Sequence, residues 1–173
     1  MSTSLRIAFL DRDGTLIREP ADEQVDSLAK IDLVPGVIPA LLRLRAAGYR
    51  FVMVSNQDGR GTPSFPESDF LTVQEFTLRL FASQGIEFDE IFICPHFPQD
   101  NCKCRKPLPW HLGDYLARVN IDRPNSLVVG DRQTDLEFAT NIGVPGFLID
   151  PAASASWEQL VRQLLDKPRT AAV

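Results

Sequence analysis

A Rossmann-like α/β fold, one domain on a doubly wound parallel sheet, is predicted by three features of this sequence. Short apolar runs alternate with segments of helical periodicity, the pattern of successive βαβ units. The runs are almost continuously apolar, as expected of strands buried on both faces. Residues able to do chemistry sit at the ends of those runs, where the ligand crevice of such a sheet lies. A length of 173 residues suits a single domain.

Each element follows from its own stretch. "RIAFLD" (6–11) reads as the first strand, and "VIPALLRLRAAGY" (37–49) as an amphipathic helix with Leu41, Leu42, Leu44 and Ala47 on its apolar stripe. "RFVMVSN" (50–56) is the second strand. Residues 65–85 form a long helix between Pro66 and Gly85, its stripe read from Leu71–Val73, Phe76 and Leu80. "FDEIFIC" (88–94) is the third strand and 109–120 a helix weakened by Gly113. "SLVVGD" (126–131), a helix over 133–143, "GFLID" (146–150) and a helix over 156–167 complete the domain, expected to span 1–166, with a tail at 167–173. The polar excursion 18–36 is long enough to suggest a lid or a disordered loop.

Composition narrows the function. Hydrophobic residues make up 44% and charged residues 24%, ordinary for a globular protein. The net charge of −5 argues against nucleic acid or an anionic membrane as partner, because both call for a basic face. Neither a signal-peptide pattern nor a membrane-length apolar run is present, so a cytoplasmic protein is expected.

"FLDRDGTL" (9–16) places Asp11 and Asp13 at the first strand end. If the extended geometry persists, their side chains share a face and Arg12 points elsewhere. Two carboxylates held close repel, and a hard divalent cation such as Mg²⁺ offsets this. A third carboxylate, Asp131, stands at the end of another strand. Alone, Asp-x-Asp-Gly reads as a turn. Four elements in order change that reading: strand–DRDGT, strand–SNQ, a loop Lys-Pro, and strand–GDRQTD.

All three cysteines and one of the two histidines fall in "CPHFPQDNCKC" (94–104). Cys94, His96, Cys102 and Cys104 make a complete Cys₃His set for zinc, with no position left for water, so the site is structural. The loop runs on into Arg105 and Lys106, so zinc is expected to brace a segment that carries two cations. His111 reads as an ordinary helix residue.

"DRDGTL", "VSNQ", "RKP" and "GDRQTD" together resemble the four signature motifs of the haloacid dehalogenase-like phosphatases, over residues 5 to about 150. The resemblance implies a nucleophile at Asp11 that becomes an aspartyl-phosphate, and a general acid and base at Asp13. It implies phosphate donors at Ser55 and the backbone of Asn56, a cation at Lys106, and Mg²⁺ held by Asp11, the Asp13 carbonyl and Asp131. Asp135 would orient the lysine or a metal-bound water. The physics agrees: a phosphate monoester approaching a carboxylate needs compensating charge and positioning.

Within that family, "DRDGTLIREP", "VDSLAK", "SNQDGRGTPSFP" and the short cysteine loop resemble the phosphatases of histidinol phosphate. Heptose bisphosphate phosphatases share the first motif and the zinc loop and are the alternative. The acids Glu19, Asp22, Glu23 and Asp26 offer a carboxylate for a substrate ammonium, with Glu19 nearest the catalytic aspartates. The tail "KPRTAAV" resembles the start of an imidazoleglycerol-phosphate dehydratase domain, which implies a fused second activity in histidine synthesis. A phospho-accepting receiver domain is disfavoured by Asp13 and the metal loop, and a purely structural zinc module leaves the carboxylates unexplained.

Overall fold

The structure, a computed structural model, describes residues 4–166; the tail expectation for 167–173 lies outside them. Strand β1 (Arg6–Leu10) shows how the layers arise. Its alternate residues face opposite ways. Ala8 and Leu10 join one buried cluster, Ile7 and Phe9 the other. The remaining strands are β2 (Tyr49–Asn56), β3 (Phe88–Cys94), β4 (Leu127–Gly130) and β5 (Gly146–Leu148). All pair in parallel in the order β3-β2-β1-β4-β5.

Helices α1 (Val37–Ala46), α2 (Glu67–Ser83) and α5 (Ser156–Leu165) contribute to the first cluster through Leu41, Val73, Phe81 and Trp157. Helices α3 (Gly113–Arg118) and α4 (Gln133–Ile142) contribute to the second through Tyr115, Phe138 and Ile142. The sheet is therefore wound on both faces, and the expected Rossmann-like class holds. Strand order reverses between β1 and β4, the point at which such sheets open a crevice.

Three local expectations need correcting. The buried stripe of α2 is Phe70, Val73, Gln74, Thr77 and Phe81, whereas Leu71 and Phe76 are exposed. Two polar residues occupy the inward face, so apolar spacing pointed to the wrong phase. On α1, Leu42 is exposed and Val37, Ala40, Leu41 and Leu44 are buried. The helix expected over 109–120 begins as a 3-10 turn, Trp110–Leu112, and becomes α-helical only for Gly113–Arg118.

The excursion 18–36 is not a disordered coil. Val25 and Val34 are buried. Lys30 pairs with Asp22 at 2.6 Å and Asp26 at 2.9 Å, and Arg18 N donates to Asp32 O at 2.7 Å. Enough apolar anchors and local partners exist to fold it onto the domain. No helix among the described residues is long and apolar enough to cross a membrane.

Candidate active site

The ends of β1, β2 and β4 and the loop after β3 converge on one cavity of about 120 Å³, lined by Asp11, Asp13, Glu19, Ser55, Asn56, Arg105, Lys106, Arg132, Thr134 and Asp135. Asp11 continues β1, its N–H donating to Val129 O at 3.0 Å. The chain then turns sharply, and the carbonyl of Arg12 accepts from the N–H groups of Leu16 and Ile17 at 2.8 and 3.0 Å. Gly14 permits the turn at φ +77°, and a Cβ there would lie 2.2 Å from Asp131 Oδ2. Gly130 serves the same end on β4, since a Cβ there would lie 2.1 Å from the Asp135 carboxylate. Each glycine admits a carboxylate into contact with backbone.

Lys106 lies at the centre. It is 5% exposed, and its Nζ is 2.7 Å from Asp11 Oδ1 and 2.7 Å from Asp135 Oδ1. Burial alone would lower its pKa, but the charges of Asp11 and Asp135 outweigh that and raise it. Asn56 Oδ1 accepts from Lys106 N at 3.0 Å, and Asn56 Nδ2 donates to Lys106 O at 3.4 Å. The Asn56 side chain thus grips the lysine's backbone, a task the sequence did not suggest. Asp135 is fixed from below by Arg132 N, which donates to Oδ2 at 3.1 Å.

The carboxylates of Asp11, Asp131 and Asp135 lie within 4.8 Å of one another. Burial pushes Asp11 up to about 7, against the pull of Lys106. Burial likewise pushes Asp131 up to about 6, against Arg132. Asp131 Oδ1 is buried without a hydrogen-bond partner among the described residues. Crowded acids, one with an orphaned oxygen, fit a hard divalent cation.

Asp13 faces a different set. Arg12 does not simply point away: its guanidinium turns back to donate to Asp13 Oδ1 at 2.7 Å and Oδ2 at 3.0 Å. Gln57 Nε2 donates to Asp13 Oδ2 at 2.8 Å and to Ser55 Oγ at 2.9 Å. Glu19 lines the cavity as expected, but it pairs with Arg132 at 2.5 Å. Arg105 is held by an ion pair with Asp58 and donates to His96 O at 3.0 Å. Arg12, Gln57 and Arg132 lie inside the quoted motifs and Asp58 follows one, yet the sequence assigned none of them a role.

Cys94, His96, Cys102 and Cys104 converge beside the cavity. Cys94 Sγ is 3.1 Å from Cys104 Sγ and 3.6 Å from Cys102 Sγ, and His96 Nδ1 is 3.2 Å from Cys104 Sγ. A tetrahedral site with Zn–S near ~2.3 Å has edges of about 3.8 Å, close to this spacing. Burial pushes the Cys94 thiol up, so its thiolate needs a nearby cation. His111 is a packing residue: its ring meets Phe92 edge-on at 5.6 Å, and burial pushes it down to about 4.

A family model for haloacid dehalogenase-like hydrolases matches residues 6–143. The chain belongs to this family. Among curated relatives, the histidine biosynthesis bifunctional protein HisB of Legionella pneumophila is 54% identical over 168 residues, covering 97% of this chain and 47% of that protein. HisB of Campylobacter jejuni is 46% identical over 169 residues, covering 97% and 47%. The chain spans about half the length of the curated relatives it matches. Among solved structures, D,D-heptose 1,7-bisphosphate phosphatase from B. bronchiseptica, crystallised with magnesium and phosphate, superposes with a TM-score of 0.78. It is 29% identical and covers 92% of this chain and 99% of its own.

The raised acids set the direction of a pH effect. In the unfolded chain an Asp titrates near ~3.9, so between about pH 4 and pH 7 the cation-free native state holds more protons than the unfolded one. Stability contributed by these groups is therefore full below about pH 4 and is lost as pH rises through the folded values. Without added divalent cation, thermal unfolding followed by circular dichroism should show a melting temperature several degrees lower at about pH 8 than at about pH 5. Added Mg²⁺ should raise it more at the higher pH.

Proposed function

We propose that this domain is a Mg²⁺-dependent phosphomonoesterase that hydrolyses L-histidinol phosphate to L-histidinol. The observation that carries the chemistry is the buried Lys106 shared by Asp11 and Asp135 next to Asp131. In this reading Asp11 attacks phosphorus, and the P–O bond to the leaving group breaks as Asp13 gives that oxygen its proton. Asp13 then takes a proton from water, which attacks the aspartyl-phosphate and releases inorganic phosphate, restoring Asp11. Lys106, Arg105, Ser55 and the backbone of Asn56 bind the phosphoryl oxygens. Asp11, the Asp13 carbonyl and Asp131 would hold Mg²⁺, which supplies charge to the phosphoryl group. Zn²⁺ on Cys94, His96, Cys102 and Cys104 would brace the segment that carries Arg105 and Lys106.

The two HisB relatives at 46–54% identity support this substrate. Their bifunctional name and double length also support a fused dehydratase domain. Glu19 is the acid of the excursion that reaches the cavity, where it would trade Arg132 for the substrate ammonium. An adjoining groove of about 490 Å³, bounded by Pro98, Asn101, Leu108 and Thr134, leaves room for the rest of the molecule. The heptose bisphosphate reading rests on the 29% identical solved structure and stands second.

A phosphatase panel with Mg²⁺ tests the substrate. Histidinol phosphate should exceed heptose bisphosphate in kcat/KM by roughly 100-fold or more, a few kcal/mol of discrimination from polar contacts. Glu19→Gln should raise KM for histidinol phosphate and spare p-nitrophenyl phosphate. Preference for the heptose ester would overturn the assignment. Zinc removal should lower turnover by loosening Arg105 and Lys106, and adding zinc back should restore it. Full kcat and KM in protein shown by metal analysis to be zinc-free would count against the brace.

A further inference from the structure

Arg12 is a cation with no solvent exposure. A buried guanidinium must have its charge and donors met. Asp13 takes two of its contacts, at 2.7 and 3.0 Å. Two more go to buried amides: Nη2 donates to Gln57 Oε1 at 2.7 Å and Nη1 to Gln74 Oε1 at 3.1 Å. Gln74 lies on the inward face of α2 and donates to Met53 Sδ at 3.3 Å. The Phe70 ring lies 5.4 Å from the guanidinium. A chain of contacts thus runs from α2 through Arg12 to Asp13.

Gln57 joins this chain to the cavity. Its Oε1 faces a group that only donates, which settles which end of the amide is oxygen. Both Nε2 hydrogens are then committed, to Asp13 Oδ2 at 2.8 Å and Ser55 Oγ at 2.9 Å. Two consequences follow. Ser55 Oγ accepts from Gln57, so its own hydrogen is free to be donated elsewhere. Of the roughly four lone-pair positions on the Asp13 carboxylate, three are occupied, and the open one is on Oδ1.

We infer that Gln57 is a positioning residue for proton transfer, holding Asp13 so that Oδ1 exchanges the proton and Ser55 so that its hydroxyl donates. The inference rests on the phosphomonoesterase reading, with Asp13 as acid and base. Gln57 acts through these two residues, and Arg12 and Gln74 hold it in register.

The test exploits leaving groups. p-Nitrophenolate departs without a proton, whereas an alkoxide needs one. General acid catalysis contributes on the order of 10²- to 10⁴-fold. In the Mg²⁺- and Zn²⁺-replete protein, Gln57→Leu should lower kcat/KM, which covers the steps up to departure of the leaving group and not the later water attack common to both esters, by about 100-fold for histidinol phosphate and by less than about 10-fold for p-nitrophenyl phosphate. The loss that both esters share, within that roughly 10-fold, is the part expected from Ser55 losing its orientation. Gln74→Leu, which touches neither Asp13 nor Ser55, should show the same split at smaller size. Equal losses on the two esters, or no loss on the alkyl ester, would overturn the inference, because a merely structural role does not distinguish leaving groups. Asp13→Asn run alongside separates the two levels. If it splits the esters and the glutamine variants do not, only the role of Gln57 falls; if it does not split them, the acid reading falls and this inference with it.

Discussion

One buried cation organises the molecule's functional end. Lys106 has almost no contact with solvent, and two carboxylates, one just after β1 and one in the first turn of α4, share its ammonium at 2.7 Å each. Removing the ammonium would leave two buried carboxylates uncompensated, and breaking a buried pair in this way costs about 3–5 kcal/mol. Much of the surrounding structure holds that set in place. Asn56 grips the lysine's backbone on both sides, Gly130 makes room for Asp135, and the N–H of Arg132 fixes its second oxygen. With one ammonium spread over Asp11 and Asp135, and Asp131 alongside, the cluster still carries excess negative charge. That excess gives a divalent cation its place.

The same balance explains why the cysteine loop sits where it does. Lys106 arrives from the loop after β3, two strands from Asp11, so its position depends on a segment with little apolar area of its own. The loop is tied at several points: Gln57 N donates to Cys94 O at 2.7 Å and Gly59 N to Pro95 O at 3.0 Å, and the Phe97 ring occupies the space a Cβ on Gly59 would need. A metal on the four converging ligands would complete that anchoring, next to the chemistry and without taking part in it.

Much of this was legible in the sequence, for identifiable reasons. In a doubly wound sheet a residue just after a strand is already addressed to the crevice, so Asp11, Ser55, Asn56 and Asp131 could be placed without coordinates. Cys94, His96, Cys102 and Cys104 are close in sequence and so announce themselves. What stayed hidden depends on how side chains choose partners in space. The Glu19–Arg132 pair joins residues far apart in the chain, and no local pattern forecasts it. Arg12 lies between two aspartates and reads as outward, yet its side chain is long enough to turn back into the core. Gln74 and Thr77 on the buried face of α2 misled the helical phase for the same reason: the face is partly a polar platform, and apolar spacing cannot see it.

The central claim is that Asp11, not Asp13, carries the phosphoryl group. Acid quench during turnover, borohydride reduction and peptide mass mapping test it directly, because reduction converts an aspartyl-phosphate into homoserine. Homoserine at position 11 and aspartate at position 13 is the expected result. Homoserine at position 13, or at neither position in a sample that is turning over with a rate-limiting second step, would contradict the account.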